Sequence, residues 1–150
     1  MTKIERAYIA GFFDADGSVT VIKGRLTKRK PHHIYTIALC FYNNDRNVLE
    51  WFQQKMGGRL YYRPRARNHH EMASQLYMRT QTEILQCLST ILPYLKTKRQ
   101  SAELAYKFLK LREPTKHLHS AHNPLTDEQL EILKQLRQAN IKRSRHAKPL

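Results

Sequence analysis

Hydrophobic positions along the chain fall into two periods, and the switches between them mark the elements. Ile4 to Phe13 carries helical spacing, and "DADG" marks its end, with Gly17 free to take the left-handed turn that stops a helix. "SVTVIKGRL", residues 18–26, and "HIYTIALCFY", residues 33–42, are β-branched and aromatic, and the basic loop "TKRKPH" joins them as a hairpin. The second run alternates, so Tyr35, Ile37, Leu39 and Phe41 are expected to face a core, with Thr36, Ala38, Cys40 and Tyr42 opposite. A second helix is predicted over 45–56, capped by Asn44 or Asp45 and closed by the glycines at 57 and 58. "RLYYRPRAR" from 59 and "SQLYMRT" from 74 then give a second strand pair around "NHHEMA", with Pro64 pointing to an edge or a bulge. Thr80 and Glu83 form a capping box for a helix over 81–92 stopped by Pro93. Thr97 is the cap expected for a helix over 98–112, and Thr126 with Gln129 opens a last one to about Ile141. The order αββαββα followed by helices predicts an α+β fold: a four-stranded antiparallel sheet with helices on one face and the other face open to a ligand.

The chain has 150 residues, 41% of them hydrophobic. This length fits one domain over 1–150, with a core over about 4–112, C-terminal helices over 113–141 and a basic tail over 142–150. Charge says what the open face meets. Lys and Arg number 27 against 12 Asp and Glu, a net charge of +15, far more than solubility needs, which points to a polyanion and above all to nucleic acid. No acid falls between Gly17 and Asn44, where Lys23, Arg25, Lys28, Arg29 and Lys30 lie. The second hairpin adds Arg59, Arg63, Arg65, Arg67 and Arg79 against Glu71. A twisted basic ribbon of this kind enters the DNA major groove. A membrane is disfavoured, because no run of about 18 apolar residues exists. The polar start "MTKIER" shows no secretory signal, and Cys40 and Cys87 lack metal or redox spacing, so an intracellular, reducing compartment is expected, bacterial cytoplasm or organelle.

"FFDADG" leaves two readings open. In one, Asp14 and Asp16 bond locally in a turn after the helix. In the other they hold a hard divalent cation, because carboxylates at the negative end of a helix are disfavoured unless positive charge sits beside them.

"IAGFFDADG", Ile9 to Gly17, closely resembles the LAGLIDADG motif, and the chain resembles the single-motif LAGLIDADG homing endonucleases of mobile introns. "LCFYNNDRNVLEWF" and "LPYLKTKRQ" extend that resemblance over roughly residues 4 to 112. It implies a homodimer in which two motif helices pack through small residues, with Ala7, Ala10 and Gly11 at the contact and Asp14 beside it, supporting the turn. Two-fold symmetry in turn implies a pseudo-palindromic double-stranded DNA target rather than a small-molecule substrate. The resemblance further implies Asp16 as the metal ligand, with the Ala15 carbonyl assisting. Mg²⁺ is the implied cofactor, replaceable by Mn²⁺, while Ca²⁺ binds without supporting cleavage. Asp45 matches a position that orders the attacking water and Lys98 one beside the scissile phosphate; a plain N-cap and a basic residue opening a helix are the simpler alternatives. The family's second active-site basic residue falls at Leu49, leaving Arg46 and Arg99 as candidates to replace it. A non-cutting RNA maturase or DNA-binding regulator derived from the same fold is the second reading.

For base contact the expected residues are Thr20, Ile22, Thr36, Ala38, Cys40 and Tyr42 from the first hairpin. Arg63, Arg65, Gln75, Tyr77 and Arg79 are those of the second. Arg63 and Arg65 suit guanine and Gln75 suits adenine, while Lys23, Arg25, Lys28, Arg29, Lys30 and Arg67 suit phosphates. The histidines at 32, 33, 69 and 70 sit at hairpin tips, where phosphate contact is open to them. His117, His119 and His122 read as a solvated loop rather than a zinc site. "IKRSRHAKPL" reads equally as a phosphate-binding or an unstructured tail.

Overall fold

A computed structural model describes residues 1–24, 33–62, 74–112 and 124–141. Helix α1 (Lys3–Asp16) runs directly into strand β1 (Gly17–Lys23), followed by β2 (Tyr35–Asn43) and α2 (Arg46–Met56). Strands β3 (Arg59–Tyr61) and β4 (Ser74–Met78), then α3 (Gln81–Ile91), a 3₁₀ turn over Leu92–Tyr94, α4 (Arg99–Lys110) and α5 (Asp127–Ile141) complete the order. The sheet is antiparallel in the order β1-β2-β4-β3, as the predicted α+β class requires.

One face of the sheet is buried by helices. Ile37, Leu39 and Phe41 from β2, and Leu76 and Met78 from β4, join Ile9 and Phe13 of α1, Leu49 and Phe52 of α2, and Ile84 and Leu88 of α3 in one apolar cluster. Aromatic edges knit it together: Phe12 meets Phe52 with ring centroids 4.8 Å apart and Phe13 meets Phe41 at 5.0 Å, near the favoured edge-on separation. Helix α5 adds Ile132, Leu133 and Leu136 to the same cluster. Its Asn140 donates to the Val19 carbonyl at 2.9 Å and accepts from Ser101 Oγ at 3.1 Å, tying the C-terminal helix to β1 and α4.

Most helix starts follow the sequence signals. Thr80 and Glu83 form the expected capping box, Asp45 rather than Asn44 caps α2, and Thr126 and Gln129 bond each other's backbone amides. An unpredicted box, Thr2 with Glu5, opens α1. Gly57 and Gly58, with φ of 80° and 93°, end α2 in a conformation that disfavours side chains.

Three differences from the sequence expectation bear on the end of α1 and the start of α4. Helix α1 continues through Asp16, so Asp14, Ala15 and Asp16 are helical rather than a turn. Gly17 is extended, with φ −84° and ψ 163°, not left-handed; it is glycine for space, since a Cβ there would lie 2.2 Å from Phe13 Cδ2. Thr97 does not cap α4: Lys98 occupies that position with no side-chain cap bond, because the backbone amide and hydroxyl of Thr97 are both directed to Asp14.

Candidate active site

The end of α1 and the segment before α4 clasp each other. The Asp14 carboxylate accepts three backbone amides: Lys96 at 2.7 Å and Thr97 at 3.2 Å on Oδ2, and Lys98 at 2.9 Å on Oδ1. In return the Lys98 ammonium donates to the carbonyls of Phe13 at 2.9 Å, Asp14 at 2.7 Å and Ala15 at 3.0 Å. The last carbonyls of a helix lack intrahelical donors and carry partial negative charge. Helix α1 has no basic residue in its own last turn, so Lys98 brings the compensating charge from another element.

The two aspartates of the motif therefore have different surroundings. Asp14 is half-buried and spent on its own chain. Partial burial pushes its pKa up, but the amides of Lys96, Lys98 and Thr97 together outweigh that and hold it below its ordinary value. A lowered carboxylate pKa adds stability that is present above the unfolded-state value and lost as pH falls through the folded one. Asp14→Ala is accordingly expected to lower unfolding stability near neutral pH by about 2 kcal/mol, the partial exposure keeping it below a fully buried loss. In urea melts from neutral pH down to below the ordinary carboxylate range, the gap between parent and variant should close; a constant gap would contradict this role.

Asp16, in contrast, is exposed at the last position of α1. Antiparallel pairing of Gly17 with Phe41 sets the end of α1 at the same end of the sheet as the β2–α2 junction. There Asp45 accepts from the Asn47 amide at 2.9 Å, its own amide donating to Asn43 Oδ1 at 2.7 Å. Asp45 is thus an N-cap that also stays exposed. Arg46 pairs with Glu50 at 2.5 Å and stacks over Tyr62 at 4.1 Å. Arg99 pairs with Glu103 at 2.9 Å.

Hard oxygen donors at this end, the Asp16 carboxylate and the Ala15 carbonyl, fit a divalent cation such as Mg²⁺. Among the described residues no group of three His, Cys, Asp or Glu side chains gathers to hold a metal.

The outer face of the sheet carries part of the expected recognition set. Thr20 is exposed, and Ile22, Thr36, Tyr42, Gln75 and Tyr77 are partly so. Lys23 and Arg79 are exposed. Ala38 and Cys40 depart from expectation: on the central strand they are buried, at 0% and 3% exposure. They alternate with the core-facing Ile37, Leu39 and Phe41 but are small, and Gln75 Nε2 closes over Cys40, reaching its Sγ at 3.0 Å. Direct contact with a ligand through Ala38 or Cys40 is corrected accordingly. Arg25, Lys28, Arg29, Lys30, Arg63, Arg65 and Arg67, the histidines at 32, 69, 70, 117, 119 and 122, and the tail lie outside the described residues.

On α1, Ile4, Ala7, Tyr8, Gly11 and Ala15 are exposed at three- and four-residue spacing, Ile4 by 82% and Tyr8 by 52%. A Cβ at Gly11 would meet nothing within 4 Å. Ala10 is corrected: it is fully buried in the core beside Ile9 and Phe13, so it cannot touch a second chain. The Asp14 carboxylate is held by Lys96, Thr97 and Lys98 of its own chain. Sequence reasoning missed Ile4 and Tyr8, whose signal was large apolar residues opposite the buried stripe. It also missed Arg112 and Arg137, which flank Tyr35 at the outer end of β2. Arg112 donates to the Tyr35 carbonyl at 2.6 Å and the Arg137 guanidinium lies 5.7 Å from the Tyr35 ring; only folding brings them together.

This combination of a helix ending in two unlike aspartates and a four-stranded sheet with one open face defines the fold of the LAGLIDADG homing endonucleases. A LAGLIDADG-like domain matches residues 3–91, and the chain belongs to the LAGLIDADG family. No curated protein sequence matches it. Among solved structures it is similar to the homing endonuclease I-CvuI in complex with DNA in the presence of Mg, with 21% identity and TM-score 0.71 over 99% of this chain and 87% of that one. The archaeal intron-encoded I-Vdi141I bound to DNA is 14% identical, with TM-score 0.71 over 97% of this chain and 89% of that one. I-SmaMI, bound to uncleaved DNA with calcium, is 20% identical at TM-score 0.63; the match spans 87% of this chain but 42% of that one. Among the described residues no helix is long and apolar enough to cross a membrane.

Proposed function

We propose that the chain is a site-specific DNA endonuclease acting as a homodimer in one folded domain, with Mg²⁺ at its cleavage site. The observation that carries this reading is the exposed Asp16 at the end of a helix whose other aspartate is fully engaged, at one end of a sheet with an open face. The net charge of +15 and the DNA complexes of similar folds support a nucleic-acid substrate. A small exposed stripe on α1 supports association through that helix, which would bring two copies of Asp16 together and supply the second half of a metal site.

Asp16 and the Ala15 carbonyl would hold the cation, which supplies Lewis-acid charge to phosphodiester hydrolysis. Asp45 is exposed at the neighbouring helix start and is assigned to ordering water. Lys98 is assigned to contribute positive charge at the phosphate. Arg46, next to Asp45, is preferred over Arg99 as the second basic residue, because stacking on Tyr62 and pairing with Glu50 preset its guanidinium. Thr20, Ile22, Thr36, Tyr42, Gln75, Tyr77 and Arg79 are assigned to base readout, and Lys23 to phosphate.

The test is cleavage of a duplex containing the uninterrupted sequence on either side of its gene, with Mg²⁺ and with Ca²⁺. Double-strand cutting with Mg²⁺ and binding without cutting with Ca²⁺ are expected. Binding without cutting in both would instead favour a maturase or regulator.

A further inference from the structure

The same ammonium that is assigned to the phosphate is fully occupied by carbonyls of its own chain. A lysine ammonium has three N–H donors, and three carbonyls receive them at 2.7 to 3.0 Å. Two of those carbonyls have a second donor. The Gly17 amide bonds the Phe13 oxygen, and Thr97 Oγ1 bonds the Asp14 oxygen at 3.4 Å. Among the described residues Ala15 receives no second hydrogen bond, and its oxygen lies next to the exposed Asp16 carboxylate.

We propose that Lys98 is an exchangeable cap: it neutralises the end of α1 while no metal is bound, yields the Ala15 oxygen to a divalent cation, and thereby turns its ammonium toward the phosphate. This rests on reading Ala15 and Asp16 as metal ligands. Exchange is cheap for the fold, because Phe13 and Asp14 keep a donor each and the incoming cation satisfies Ala15. Retaining both cations on one carbonyl is costly, since like charges within hydrogen-bonding distance repel. The Asp14 carboxylate holds the Lys98 backbone amide at 2.9 Å throughout, so the side chain can move while its root stays fixed. Metal binding and arming of Lys98 thus become one step, and a chain without metal presents no free ammonium to DNA at this point.

The full-length protein, with and without Ca²⁺, is treated briefly with acetic anhydride, and acetylation of each lysine is quantified by mass spectrometry. Lys55 and Lys107, ion-paired to Glu5 and Glu128, serve as internal controls. Ca²⁺ binding is followed separately as a rise in melting temperature that Asp16→Asn abolishes. Lys98 acetylation is expected to rise several-fold with Ca²⁺ while both controls stay constant. If Ca²⁺ binds through Asp16 and Lys98 reactivity is unchanged or falls, the exchange is overturned and the metal site stands. If no Asp16-dependent Ca²⁺ binding occurs, both are overturned. Lys98→Met gives a second check: its metal-free melting temperature should fall, and Ca²⁺ should raise it by more than it raises the parent's.

Discussion

Asp16→Asn is expected to leave folding and DNA binding intact and to slow cleavage by about 10²- to 10³-fold, the range seen when one preorganised electrostatic group is removed from an active site. The physical basis is the exposure of this carboxylate at the end of α1. Among the described residues no hydrogen bond or ion pair engages it, and a carboxylate at a helix C-terminus is unfavourable by a few tenths to about 1 kcal/mol. The variant should therefore melt at the same temperature as the parent or slightly above it. Neutralising Asp14 has the opposite profile, since its three amide bonds hold the 96–98 segment to α1. A single-turnover cleavage assay, a filter-binding titration in Ca²⁺ and a thermal melt on both variants separate the two roles. If Asp16→Asn cuts at the parental rate, the cleavage assignment fails. If it melts far below the parent, Asp16 is structural after all.

That the two aspartates differ was legible in the sequence through the motif, but the reason was not. Local pattern suggested a turn at "DADG", whereas the helix runs on through Asp16 because Lys98, more than eighty positions away, caps it. Long-range capping of this kind leaves no periodic trace. The sheet was readable because β2 alternates cleanly, and Ile37, Leu39 and Phe41 are buried as that alternation requires. Alternation gives the face but not the depth: Ala38 and Cys40 lie on the open side and are still covered, a consequence of small side chains on a central strand. Caps built within four residues, Thr80 with Glu83 and Thr126 with Gln129, were fully legible. Thr97 failed as a cap for the same reason that DADG failed as a turn, since each is committed to the other.

Gly11→Leu should convert the proposed dimer to monomer without unfolding the chain, and the loss of association should be about 2 kcal/mol or more, roughly 30-fold in Kd. A glycine inside an exposed stretch of helix is less stable than alanine by about 1 kcal/mol. Among the described residues nothing explains its presence at 11, because a Cβ there meets no atom within 4 Å. This contrasts with Gly17, where Phe13 leaves no room for a side chain. The space above Gly11 is flanked by Ala7 and Ala15 and opens on the exposed side of α1, where Ile4 and Tyr8 extend the same stripe. A second helix approaching closely accounts for the cost. The isolated chain should gain stability on losing the glycine, whereas the assembly should lose affinity, and these opposite signs separate an interface from a packing defect. Sedimentation equilibrium gives the association constant and a melt in dilute solution gives the monomer's stability. A Gly11→Leu protein that stays dimeric would place the contact elsewhere, and the second Asp16 would then have to come from outside the α1 face.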